Sequence, residues 1–277
     1  MLGSAFVRPA IPVAPNLSIF DPVFIGVDEF GKPVYVTMMY RNKLIGGEPG
    51  AGKSSLLSNY LAHAALSADC RLCLIDGKQV ELGLWEQVAD VFVGPDQKHA
   101  IRTLLRVQQV MDNRYAYLRQ HRRRKITRDD AFSAILIVID EIAYFSATVG
   151  SKTEQDMFSA LLRDLVARGR AVGIIVLAAT QRPSSDIIPT SLRDLFAWRF
   201  CGRTSNDSSS DIVLGHGWAS KGYTANSLDP TNQGSGLLIA EGGTPKLVKA
   251  AYLTDDDVIH LADYAAYIRR PQHALAA

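Results

Sequence analysis

Gly46-Gly47-Glu48-Pro49-Gly50-Ala51-Gly52-Lys53-Ser54-Ser55 decides how the rest of this chain is read. From Gly47 to Ser54 it fits G-x-x-x-x-G-K-[ST], the loop that cradles phosphates. Its glycines let consecutive backbone N–H groups turn inward around phosphate oxygens, and Lys53 reaches the β- and γ-phosphates. Ser54 offers a hydroxyl to Mg²⁺, and the helix that starts there adds its positive end. Lys43-Leu44-Ile45 reads as a short strand before the loop, and Leu56 to Leu66 as an apolar-rich helix after it. That is the context the motif needs. Gly47, Glu48, Pro49, Gly50, Ala51, Gly52, Lys53, Ser54 and Ser55 are therefore the expected nucleotide-binding residues, with ATP and Mg²⁺ as ligands.

Working outward, Val23 to Val27 and Pro33 to Met38 flank Asp28-Glu29-Phe30-Gly31-Lys32, a predicted β-hairpin leading into the phosphate-loop strand. Residues 1–20 carry several prolines and little periodicity, and read as an extended arm; residues 21–277 read as a single domain. Arg71 to Asp76, Val91 to Val93, Ala134 to Glu141 and Gly173 to Thr180 read as further strands. The run from Ala134 is continuously apolar up to Asp140-Glu141, as expected of a central parallel strand covered on both faces. Amphipathic helices are expected over about 98–122 and 153–168, on apolar residues three and four apart. From 195 to 253 the pattern is strand-rich, and Thr254-Asp255-Asp256-Asp257 caps a last helix. Strands alternating with helices argue an α/β fold: a mostly parallel sheet with helices on both sides.

The 277 residues, 21% charged and 47% hydrophobic, are an ordinary globular mix, and a net charge of +2 implies no general affinity for polyanions. Three cysteines cannot build a secreted disulfide framework. Cys70 and Cys73 fall on a predicted strand, where positions three apart face opposite ways, so metal binding by this pair is not expected. No apolar run reaches the roughly 18 residues of a membrane span, and the N-terminus lacks a signal-peptide pattern. The expected setting is reducing and cytoplasmic, with any membrane attachment supplied by a partner.

Asp140 and Glu141 end a buried strand, which is the second half of a nucleotide-hydrolysing site. Asp140 is placed to hold the Mg²⁺ shell and Glu141 to act as general base on a water. Ala179-Thr180-Gln181-Arg182-Pro183 ends the next strand, which in sheets of this class lies between the other two, so Gln181 can sense the γ-phosphate. The run Arg119, Arg122, Arg123, Arg124, Lys125 reads as a solvated helix end rather than a DNA surface.

These residues resemble the motor domain of the FtsK/SpoIIIE family of DNA translocases, and within it the actinobacterial Tra-type proteins that move double-stranded plasmid DNA between cells. The resemblance runs from about 20 to 265. It is carried by the phosphate loop, Leu74 to Leu82, Met111-Asp112-Asn113-Arg114-Tyr115, Ile139 to Ala143, Ala167 to Ile174 and Ala179 to Ile188. It implies a RecA-like P-loop NTPase of the ASCE type, assembled as a homo-oligomeric ring, a hexamer, around duplex DNA. ATP sites then lie at subunit interfaces, and an arginine acts across each interface: Arg170 by its place in the motif, with Arg168 second. The family's channel loops correspond to Ser146 to Lys152 and Ser184 to Arg193, which makes Lys152 and Arg193 the expected DNA contacts and Arg199 a further one. A membrane-bound transfer or division partner also fits the resemblance. Departures are Gly77 where the family has proline, about five extra residues after Glu141, and Asp211 where many members carry arginine. Two alternatives stay open: a protein-moving ATPase of the EccC/EssC type, and a degenerate nucleotide-binding subunit.

Overall fold

In the computed structural model, which describes residues 17–269, the chain builds a ten-stranded sheet. A hairpin of β1 (Pro22–Asp28) and β2 (Pro33–Thr37) comes first, its turn closed by the Asp28 carboxylate, which accepts the N–H groups of Phe30 and Lys32. Next come β3 (Lys43–Gly46), α1 (Lys53–Ala65), β4 (Cys70–Ile75) and β5 (Val91–Val93). Then α2 (Gln97–Gln120), β6 (Ala134–Ile139), α3 (Lys152–Arg168) and β7 (Ile174–Thr180) follow. The single-turn α4 (Thr190–Arg193) precedes β8 (Trp198–Gly202), α5 (Asp207–Leu214), β9 (Ser235–Ala240), β10 (Lys246–Ala250) and α6 (Asp255–Arg269).

Across the sheet the order is β2-β1-β10-β9-β8-β3-β7-β6-β4-β5. From β8 to β5 every pairing is parallel; from β8 back to β2 every pairing is antiparallel. The paths β3 to β4 and β5 to β6 to β7 cross the sheet in opposite directions. Right-handed crossovers therefore set α1 on one face and α2 with α3 on the other. Between them β6 and β7 are apolar and almost wholly buried. β7 lies between β3 and β6, with Gly46 opposite Thr180 and Ile139 opposite Ala178. That register brings the phosphate loop, Asp140-Glu141 and Thr180-Gln181 together at one edge.

Three features differ from the sequence expectation or extend it. The β1–β2 hairpin is part of the main sheet, joined through β10. Within the expected strand-rich stretch a helix forms at α5, because the Asn206 side chain accepts the Ser209 N–H at 2.8 Å and Val213 and Leu214 bury beneath it. Its polar start, Asp207-Ser208-Ser209-Ser210, hid this in the sequence. Of the expected arm, residues 1–16 lie outside the described residues; Ile19 is buried, and its N–H donates to Asp69 at 2.9 Å. The last helix starts as predicted, with Thr254 and Asp257 bonded reciprocally, side chain to backbone N–H. Among the described residues no helix is long and apolar enough to cross a membrane.

Candidate active site

The phosphate loop is wedged between β8 and the start of β9. Gly52 has φ 83°, and a Cβ there would stand 2.2 Å from the Cα of Gly234. Only glycine fits both the left-handed backbone and the close approach. Lys53 is buried at the mouth of α1, its ammonium donating to the carbonyls of Gly47 at 2.7 Å and Glu48 at 2.9 Å. Burial pulls its pKa down to about 8, against the opposing pull of Glu141, Asp140 and Glu81. Glu48 is held in turn: its N–H donates to the Arg203 carbonyl at 2.9 Å, and its carboxylate pairs with the Arg203 guanidinium at 3.2 Å. Ser54 and Ser55 stay partly exposed on the first turn of α1. Beside them opens a cleft of 370 Å³ whose walls include Val80, Glu81, Tyr252 and Leu253.

Asp140 follows β6 and is buried, and its Oδ2 has no hydrogen-bond partner among the described residues. Burial, then the charges of Asp76, Glu81 and Glu141, push its pKa up to about 7. A buried carboxylate oxygen without a donor is what a bound cation would satisfy, so Asp140 fits Mg²⁺. Among the described residues no group of three or more His, Cys, Asp or Glu could hold a metal ion.

Glu141 is fixed by its neighbour strand. Its Oε1 accepts the Thr180 hydroxyl at 2.6 Å and the Ala143 N–H at 3.1 Å, and its Oε2 accepts the Gln181 N–H at 2.7 Å. The Thr180 hydroxyl also accepts the Arg182 N–H at 3.1 Å. A chain of hydrogen bonds therefore runs from the loop after β7 to the carboxylate. Sequence reading found Glu141 and Gln181 but missed Thr180; the side-by-side placement of β6 and β7 was the available signal. Asp76, at the end of β4, accepts the N–H groups of Lys78 at 2.8 Å and Leu82 at 2.9 Å, which folds Lys78 and Glu81 toward the site.

The departures from the family pattern have physical accounts. A Cβ on Gly77 would meet the Tyr144 ring at 2.3 Å, so glycine makes room for that ring. The extra residues after Glu141 form a π-helical turn at Tyr144–Thr148, with Phe145 buried. Asp211 accepts the N–H groups of Gly217 at 2.8 Å and Ala219 at 2.9 Å, shaping the loop after α5.

The other named residues lie apart from this cluster. Lys152 is exposed at the start of α3 and pairs with Asp156 at 2.7 Å. Arg193 is buried, its guanidinium taken by Asp194 at 2.8 Å, and Arg199 lies 3.6 Å from the same carboxylate. As placed, Arg193 presents no charge to a polymer phosphate. Arg168 pairs with Asp112 and with Asp164 and lies over the Tyr115 ring, joining α2 to α3. Arg170 sits at the other end of β7 from Glu141, about 23 Å away at roughly 3.3 Å per strand residue.

Residues 21–134 match the FtsK/SpoIIIE family, a stretch that includes the phosphate loop, Leu74 to Leu82 and Met111 to Tyr115 of the motifs that carry the resemblance. The chain is 27% identical over 255 residues to the DNA translocase FtsK of Corynebacterium glutamicum, covering 83% of this chain and 26% of that protein. It is 27% identical over 280 residues to the DNA translocase FtsK of Haemophilus influenzae, covering 87% of this chain and 51% of that one. It thus spans about a quarter to a half of these relatives' length. In fold it is similar to the conjugation coupling protein TcpA of pCW3 in its monomer form with ATPγS: TM-score 0.77, 21% identity, 94% of this chain and 75% of that one. The cytoplasmic domain of the type VII secretion ATPase EccC of Thermomonospora curvata is similar too, with TM-score 0.71, 22% identity, and 96% and 33% of the two chains. The last two likenesses show the fold alone, a mostly parallel sheet flanked by helices.

Proposed function

We propose that this chain is an ATP-hydrolysing motor that moves double-stranded DNA, serving conjugative plasmid or integrative-element transfer. It would act as a homo-oligomeric ring of six with ATP sites at its interfaces. The observation that carries the reading is the convergence at one sheet edge of Lys53, Asp140 and a Glu141 held by Thr180 and the Gln181 N–H.

In this reading the N–H groups of the loop and Lys53 hold the phosphates, and Ser55 with the adjoining cleft takes the rest of the nucleotide. Ser54 and Asp140 would hold Mg²⁺, which when bound screens charge on the β- and γ-phosphates. Glu141 orients a water and takes its proton, and its clamped position removes the need to reorganise before reaction. Gln181, at the end of β7, would sense the γ-phosphate and couple its state to the Arg182-Pro183 loop. Arg170 lies too far from its own Glu141 to assist it, so it would serve a neighbour. Lys152 and the exposed Arg182 are the cations we assign to polymer contact.

The FtsK relatives are named DNA translocases, and this is the support for DNA over protein as cargo. The EccC/EssC reading draws on fold likeness of nearly equal quality, which does not separate the two cargoes. ATP turnover with and without duplex DNA across a salt series decides between them. Stimulation by duplex that fades log-linearly with salt is expected. Turnover indifferent to DNA at low salt would sink the DNA motor. Glu141→Gln should bind nucleotide normally and lose about 10²–10⁴-fold in turnover.

A further inference from the structure

At the end of the sheet opposite the phosphate loop, the turn between β2 and β3 packs against the link between α3 and β7. Their meeting leaves a cavity of 640 Å³ whose wall carries Arg41, Arg124, Lys125 and Arg170 beside the ring of Tyr40. The basic run at the end of α2 is thus not a solvated face throughout. Arg123 turns inward to Asp130, and Lys125 sits 4.6 Å from the centre of the Tyr40 ring.

Two guanidiniums converge on one carboxylate oxygen. Glu241 Oε2 accepts from Arg41 at 2.7 Å and from Arg170 at 3.2 Å. Arg170 is aimed by a second contact, its Nε donating to the Tyr40 carbonyl at 2.8 Å. The Tyr40 backbone is left-handed, φ 62°, and is pinned there. Its hydroxyl donates to the Ile126 carbonyl at 2.7 Å. Wholly buried Lys43 gathers the carbonyls of Thr37, Met38 and Arg41 within 2.9 Å. The direction of the Arg170 head is therefore built into the fold. Glu241, by contrast, rides on the exposed β9–β10 turn, and its side chain is 57% exposed. Pairs this exposed are weak and easily exchanged. Asp130, a carboxylate facing the basic run, is already taken by Arg123, and Asp21, beside Phe20 of the wall, by Arg128; among the described residues the four cations of the wall meet one carboxylate, Glu241.

We propose that this cavity is a polyphosphate site in which Arg41 acts beside Arg170. Its ligand is the phosphate end of a nucleotide seated on the phosphate loop of a second copy of the chain. Glu241 is the counter-ion that closes the pair in the lone chain and releases it on docking. The identity of the ligand's carrier rests on the ring reading given above; the cavity's affinity for polyphosphate does not. Convergence of two forked donors on one point inside a concavity suits a single multiply charged phosphate group. A polymer backbone would meet an open ridge instead.

The test begins with tripolyphosphate binding by calorimetry in the Lys53→Ala chain, whose own phosphate loop is disabled. Adding Glu241→Gln should tighten binding at least about fivefold, the effect of removing one competing charge. Adding Arg41→Ala to that double variant should abolish the gain, and Arg41→Lys should keep part of it. Unchanged affinity on Glu241→Gln, or on Arg41→Ala, overturns the site. So does a gain seen only with a short DNA duplex, which would make the ligand DNA. The second arm mixes Glu141→Gln chains with Arg41→Ala chains and measures ATP turnover. Activity above that of either variant alone is expected if Arg41 serves a neighbour. Absence of restoration alongside positive calorimetry overturns the second-copy assignment of Arg41, while the polyphosphate site and the ring reading built on Arg170 stand.

Discussion

Thr180→Val removes one atom's worth of chemistry from the candidate site and almost no volume. The hydroxyl it deletes is buried, donates to Glu141 Oε1 at 2.6 Å and accepts the Arg182 N–H at 3.1 Å. A hydrogen bond to a charged group is worth about 1.5–3 kcal/mol. At about 1.4 kcal/mol per tenfold in rate, its complete loss from the transition state would slow turnover by roughly 10- to 150-fold. The Gln181 N–H still holds Oε2 at 2.7 Å and the Ala143 N–H still holds Oε1 at 3.1 Å, so the carboxylate keeps two anchors, and the expected loss lies toward the lower end. Nucleotide affinity should be unchanged, because neither lost contact touches the phosphate loop. The orphaned Arg182 N–H, with one of the two donors to Glu141 Oε1 lost, should cost about 1–3 kcal/mol of stability, at roughly 2–4 °C of Tm per kcal/mol for a domain of this size. The assay is steady-state ATP turnover at saturating nucleotide with duplex DNA, beside equilibrium titration with a fluorescent ATP analogue. Thr180→Ser, which keeps the hydroxyl, should restore most of the rate. Turnover by Thr180→Val close to wild type would refute the clamp. So would a fall in affinity that matches the fall in rate.

Three other perturbations separate local from long-range effects. Gly52→Ala places a Cβ 2.2 Å from the Gly234 Cα at φ 83°, so nucleotide binding should weaken more than about tenfold; near-normal titration would mean the loop tolerates the shift. Lys43→Met strips three carbonyls of their shared donor and should lower stability in urea by about 2–4 kcal/mol, with unchanged midpoints counting against the cage. The Arg123 guanidinium, then the Thr127 N–H and the Tyr117 hydroxyl, hold the Asp130 carboxyl well below its ordinary value of 3.8. A depressed folded pKa contributes stability that is present above 3.8 and is lost as pH falls through the folded value. The stability gap between wild type and Asp130→Asn should therefore narrow as urea titrations move from pH 5 toward pH 3. A gap constant over that range would show that the pairing has no linkage to folding.

The phosphate loop, the apolar run ending in Asp140-Glu141 and the run ending in Thr180-Gln181 were legible in the chain by itself. Each is written within about ten consecutive residues: glycine where the backbone must turn, apolar side chains where a strand is covered on both faces, and a carboxylate where the strand emerges. The tertiary structure alone decided which side chains those residues would meet. Glu141 finds its clamp on β7 because β7 inserts between β3 and β6 in a particular register. Arg193, expected to contact a polymer phosphate, is buried at the end of α4 with its guanidinium on Asp194. Arg41, Arg170 and Glu241 lie as many as 200 positions apart in the chain yet share one carboxylate oxygen. Local pattern specifies an element's type and its buried face. The lateral order of strands and the packing of their connecting turns are set by the sum of many weak contacts across the whole core, and no single stretch of sequence carries that sum.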